Sequence, residues 1–262
     1  MSRVLVIARV VWLDLLRRKD LYVMAILLLT LLFVLMSLNL FGLGAVVRYI
    51  LDVGLLMAWL FSLVLVVGLT GRQLPREESK GTIFPLLAKP VTRAGLLLGK
   101  WMGSWTASVF ATFAFYAVIV ALTAVRGGAV NAGCLGQAFL LHAAALAWIS
   151  ALALALSTRM TYGAAASMAY VLCGAAFLVA PAVPELLAHE PGPSGAVLSA
   201  LYYALPHLDL FDLRQRLIHD WGPAPWPDAL GILLYGLVWA AVFLLLAWLS
   251  YRTKRFRRGA AE

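Results

Sequence analysis

Ionisable groups gather at two places in this 262-residue chain. The first is Arg76-Glu77-Glu78-Ser79-Lys80-Gly81, followed by the apolar patch Ile83-Phe84-Pro85-Leu86-Leu87 and by Lys89, Pro90, Thr92 and Arg93. Gly81 permits a tight bend or the close approach of another chain. Pro90 stops the element, and Thr92 can cap the helix that follows. A charged, knob-like element of this kind suits docking onto a soluble partner, not bond-making. The second place holds His189, His207 and His219 with Asp209 and Asp220. Imidazoles and carboxylates can bind copper or haem iron, but these spacings match no tight ligand pattern. His142 lies inside a long apolar run, where an ionisable group is a functional candidate. No second histidine lies in any other such run, so a paired haem site is not supported. A neutral imidazole hydrogen-bonded among helices is the favoured reading, and Asn39 is read as a similar packing contact.

Other chemistries are excluded by what the sequence lacks. There is no Ser/His/Asp set, no HExxH motif and no pair of carboxylates inside the apolar runs, which argues against a proton-driven carrier. Gly95-Leu-Leu-Leu-Gly99-Lys100-Trp101 only echoes a phosphate-binding loop. Three residues separate its glycines where four are needed, and Trp101 stands where Ser or Thr would hold magnesium. Cys134 and Cys173 have no CxxC partner and read as small buried apolar residues.

The elements that must position these groups are legible from charge alone. Six stretches carry no Asp, Glu, Lys or Arg: 21–47, 53–71, 101–125, 127–158, 160–184 and 229–251. About 20 apolar residues cross a hydrocarbon core of about 30 Å, and only a helix satisfies its backbone there. The composition agrees: 63% of residues are hydrophobic and 13% charged, against about 25% charged in soluble domains. The expected fold is all-α: a single transmembrane domain over 1–262, with spans near 21–43, 53–71, 101–124, 134–157, 162–184 and 229–251. The first span is too long for a signal-peptide core and lacks a cleavage site.

The net charge of +9 reflects topology. All Lys and Arg except Arg48, Arg126, Arg214 and Arg216 fall in segments on one side of the membrane. The positive-inside rule makes that side, with both termini, cytoplasmic. The basic segments then contact anionic lipid, not nucleic acid. Residues 2–19 read as an interfacial amphipathic helix whose apolar face is Val4, Leu5, Ala8, Val11, Trp12, Leu15 and Leu16. The loop 72–100 is cytoplasmic and 185–228 external. In the external loop, 196–205 and 208–218 read as two short helices, with Asp212 and Arg216 at i,i+4 in the second. Together they suggest a lid over the outer mouth, with Trp221 and Trp226 as interfacial anchors. Small residues form rows at Ala143, Ala147, Ala151 and Ala155, at Gly163 and Ser167, and at Gly99 and Gly103. Packing within the chain is favoured over an oligomer seam.

The cytoplasmic stretch resembles the signature of type-2 (ABC-2) exporter permeases, roughly R-E-x-x-x-G-T-x-x-x-L-L-x-x-P-V-[ST]-R followed by a G-K pair. Arg76, Glu77, Gly81, Thr82, Leu86, Leu87, Pro90, Val91, Thr92, Arg93, Gly99 and Lys100 match it. Pro85 departs from it, since a helix former is more usual there. The segment 205–212 is similar to the family's proline-containing stretch before the last span. By organisation the chain resembles the small permeases of nitrous-oxide reductase maturation and gliding systems.

The resemblance implies a non-catalytic permease of the bacterial inner membrane, working as an exporter. A second permease copy, identical or paralogous, would pair with it. A separate ABC ATPase would bind ATP and magnesium, and this chain would hold no cofactor or metal. The ATPase-coupling residues implied are Arg76, Glu77, Glu78, Gly81, Thr82, Phe84, Leu86, Leu87, Pro90 and Arg93, with a coupling helix over 77–88. The apolar path suggests a lipid-like or amphipathic cargo. The rival expectation is a membrane scaffold for haem- or metal-protein maturation that uses His207 and His219.

Overall fold

The computed structural model describes Arg3–Leu16, 46–79, 92–179 and 206–254, with isolated positions from 22 to 33 and from 183 to 202. Most of the expected first span, the loop residues 80–91 and the tail beyond 254 lie outside the described residues. Among the described residues all regular structure is helical. In chain order the helices are α1 (Arg3–Leu16), α2 (Val46–Gly71), α3 (Gln73–Ser79), α4 (Arg93–Val125), α5 (Ala132–Ser157), α6 (Tyr162–Gly174), α7 (Arg214–Ile218) and α8 (Trp226–Arg252). A π turn, Ala175–Val179, extends α6, and a 3₁₀ turn, Asp209–Phe211, precedes α7.

Four helical stretches are long and apolar enough to cross a membrane: Val47–Ser79, Arg93–Val125, Ala132–Ser157 and Trp226–Arg252. Their ends follow local chemistry. Thr92 caps α4 as expected, its Oγ1 accepting the Gly95 N–H at 3.1 Å. Asn131 caps α5 by accepting the N–H groups of Gly133 and Cys134. Beyond α4 the chain turns at Gly127, whose φ of +73° suits a residue without a Cβ. Pro227 and Asp228 stand in the first turn of α8, where a missing donor and a negative charge are both tolerated.

α5 is the central helix. On one side Trp101 and Trp105 of α4 stack on each other and donate their indole N–H groups to the carbonyls of Ala147 and Ala143, each at 2.9 Å. The alanine row keeps the α5 surface low enough for the indoles to reach its backbone. On the other side α8 packs through Trp148 against Phe243 and through Gly236 near Ala144. This row therefore serves packing within the chain, as expected.

Gly99 and Gly103 serve α1. A Cβ on Gly99 would lie 2.8 Å from the Ile7 Cβ, and one on Gly103 would lie 2.8 Å from the Val11 Cβ and 2.9 Å from the Ala8 Cα. Further along, Trp12 donates to Thr106 Oγ1 at 2.9 Å and packs on Phe110. Both numbers rise together, so α1 runs alongside α4 in the same direction. This corrects the expected apolar face. Ile7 enters the notch and Leu5 faces outward, because the two glycines choose the stripe that fits. Gly163 and Ser167 differ from the other rows: both are exposed on α6, and a Cβ on Gly163 would meet nothing within 4 Å.

Candidate functional site

α3 brings the Arg76-Glu77-Glu78 triplet to the end of the bundle where α2, α5 and α8 finish and α4 begins. Its anchor is Leu74, fully buried in a cluster with Leu96, Leu97, Leu154, Ala247 and Tyr251. With Leu74 fixed, the three charged residues reach three different helices or their ends. Arg76 Nη1 lies 3.3 Å from Asp14 Oδ1 on α1, an exposed pair. Glu77 Oε1 accepts from Lys100 Nζ on α4 at 2.6 Å, and the Lys100 side chain is only 5% exposed. Both Glu78 oxygens accept from Lys254 Nζ, at 2.8 and 2.7 Å, just past α8. Lys254 also donates to the Thr158 carbonyl at 2.7 Å, which ties in the α5–α6 turn.

Two further cations close the end of α8. Arg93 Nη1 donates to the carbonyls of Tyr251, Arg252 and Lys254. Arg159 donates to Ser250 Oγ, the Ser250 carbonyl and Thr253 Oγ1. The last carbonyls of a helix have no partner within it and carry partial negative charge, so guanidinium groups both satisfy and complement them. α3 is thus strapped to α1, α4 and α8 by side chains that cross the gaps between elements.

Of the expected coupling residues, Arg76, Glu77, Glu78 and Arg93 come together here. Glu77 and Glu78 point into the bundle, pairing within the chain. Gly81, Thr82, Phe84, Leu86, Leu87 and Pro90 lie outside the described residues. Sequence reasoning missed Asp14, Arg159 and Lys254 as members of this site, and it counted Lys100 only as part of a motif. Lys100, Arg159 and Lys254 lie at or just beyond the ends of apolar runs, and membrane topology alone seemed to explain those cations.

The described histidines, His142, His207 and His219, fall apart into separate settings, and His189 lies outside the described residues. His142 of α5 is fully buried and stacks on Trp59 at 3.9 Å with an interplanar angle of 4°. The Ser62 hydroxyl donates to the Trp59 carbonyl, so its oxygen accepts from His142 Nε2–H at 2.8 Å. Nδ1 then accepts from the Tyr116 hydroxyl at 3.2 Å. The imidazole therefore ties α2, α4 and α5 together through Ser62 and Tyr116. The backbone N–H of His207 donates to Tyr235 Oη, and the His207 ring packs on Tyr202. His219 stacks on Trp221. No three His, Cys, Asp or Glu side chains converge among the described residues.

Residues 68–256 match the family model described as ABC-2 family transporter protein. The chain belongs to the ABC-2 family. No curated protein matches it. The matched region takes in every member of the charged knot except Asp14, and leaves α1 outside. The protein is accordingly a multi-pass membrane permease subunit of an ABC transporter. Permeases of this family are transport components, generally non-catalytic, and generally work with an ABC ATPase.

Proposed function

We propose that this permease is the membrane half of an ATP-driven exporter, and that residues 76–93 receive the motion of a separate ATPase. The observation that carries the reading is the triplet on α3, whose charges are joined to α1, α4 and α8 at one end of the bundle. ATP binding closes the partner ATPases and draws the loops of two permease copies together. α3 moves with the loop, and the ion pairs pass that motion to the spans. The knotted end is cytoplasmic, as are both termini. Six spans cross a bacterial inner membrane, with the first and fifth completing the four that are long enough. The exposed Gly163–Ser167 face of α6 is the proposed seam for a second copy, because small residues let helix backbones approach closely.

The test is coupling. The intact permease, purified gently from membranes, is expected to bring an ATPase with it. Glu77→Ala and Gly81→Trp should leave membrane insertion intact while separating ATP hydrolysis from transport. Full transport by both variants, or purification without any ATPase, would remove the coupling role from this loop.

A further inference from the structure

The opposite end of the bundle, where α2, α5 and α8 begin, is covered by residues 206–225. The expected single helix over 208–218 is broken in two. The Asp212 carboxylate accepts the backbone N–H of Arg214 at 3.0 Å and pairs with Arg214 Nε at 2.7 Å. Asp212 therefore partners Arg214 and not Arg216. A short acidic side chain that captures a backbone donor two residues ahead favours a turn over a continuing helix.

The strap is tied at both ends. The His207 N–H donates to Tyr235 Oη at 3.0 Å. The Gln137 amide pairs with the Ala224 peptide in both directions, at 2.9 and 2.8 Å. Near the second tie, Asp220 and Gly222 take φ values of +52° and +77°. This left-handed region is one that glycine, and more rarely aspartate, enters. Between the ties Phe211 is fully buried, its ring set where α8 has Gly236; a Cβ there would lie 2.9 Å from Phe211 Cε1. Leu208 and Leu217 are buried too.

Arg214 joins the strap to the spans. Its guanidinium stands 5.7 Å from the centre of the Phe177 ring, in the π turn after α6. Phe177 packs on Trp59 at 6.0 Å, and Trp59 stacks on His142. A continuous chain of contacts therefore runs from the strap to the pin that holds α2, α4 and α5. π turns within α-helices are frequent at functional sites.

We propose that residues 206–225 are the outer gate of the permease, plugged by Phe211 in the Gly236 notch and latched by Arg214 over the π turn. When the pin and the π turn shift, Arg214 loses its seat and the plug lifts between its two ties. The proposal rests on the transporter reading and on the outward placement of this end.

The chain carries its own reporter. Cys134 is buried at 1% exposure in the cluster that Leu213, Leu217 and Ile218 of the strap close. Cys173 is buried at 0% in the central core. Right-side-out and inside-out vesicles bearing the full-length protein are treated with a membrane-impermeant maleimide, and the labelled peptides are quantified by mass spectrometry. In right-side-out vesicles, Arg214→Ala and Phe211→Ala are expected to speed Cys134 labelling by roughly tenfold or more, with Cys173 still protected. Arg214→Lys keeps the charge beside Asp212 but loses the planar stack, and should fall between. Unchanged Cys134 labelling in both alanine variants overturns the gate and leaves the transporter reading standing. Equal labelling of Cys134 and Cys173 signals general loss of packing and also overturns it. Acceleration only in inside-out vesicles overturns the orientation on which the proposal rests.

Discussion

The two ends of the bundle are closed by different physics. At the α3 end, long charged side chains reach across gaps to carboxylates and to the open carbonyls of α8. At the strap end, an aromatic plug sits against a glycine, tied by amide and hydroxyl hydrogen bonds and one largely buried ion pair. Charged struts with several rotatable bonds can follow a moving neighbour without breaking. A ring in a fitted notch is either seated or not, because close-packed contacts do not stretch. The first design suits transmission of a displacement and the second suits a gate with two positions.

The largest effect should come from Glu77→Ala, which strands the buried Lys100. A loss of about 3 kcal/mol or more is expected in unfolding of the detergent-solubilised protein, and adding Lys100→Met should recover most of it. If Glu77→Ala costs no more than removing an exposed charge, the strut picture at this end breaks. Gly103→Ala comes next, at about 1–3 kcal/mol, because its Cβ meets the α1 backbone, which has no free rotamer to yield. Gly163→Ala is the matched control and should change the stability of the separated monomer by less than about 0.5 kcal/mol, since a Cβ there meets nothing within the chain.

Gly236→Ala tests the plug. It should cost about 1 kcal/mol, less than Gly103→Ala, because the obstructing atoms are the far edge of the Phe211 ring. Pairing it with Phe211→Leu should return the loss in thermal unfolding. Ser62→Ala removes one arm of the His142 pin and is expected to cost about 0.6 kcal/mol, the usual size of a hydrogen bond between membrane helices. Arg76→Ala should be small too, about 0–1 kcal/mol and further reduced by salt, since both partners are exposed. A larger loss for Arg76→Ala than for Gly103→Ala would mean that α1 is held by charge more than by the glycine notch.

Much of this was legible beforehand where a residue's role depends on near neighbours. Thr92 as a cap and His142 as a hydrogen-bonded imidazole each followed from residue type and setting. The alanine row predicted close packing, though not that two indoles would use it to reach carbonyls. The face of α1 was misjudged at Leu5 and Ile7 because hydrophobicity alone marks both sides of that helix as apolar. Asp212 was matched with Arg216 on helical spacing, and the turn that its own carboxylate makes removed that spacing.

The sequence by itself determined that the chain is helical and membrane-spanning. Those properties add up residue by residue: a backbone in lipid must satisfy itself, and each apolar side chain favours burial independently. Only the tertiary structure decided which charges pair and which ring fills which notch. Glu77 finds Lys100 across 23 positions, and Lys254 finds Glu78 across 176. Such pairs depend on where whole helices lie, and helix placement is set by the shapes of the packed faces, which no local pattern of residues records.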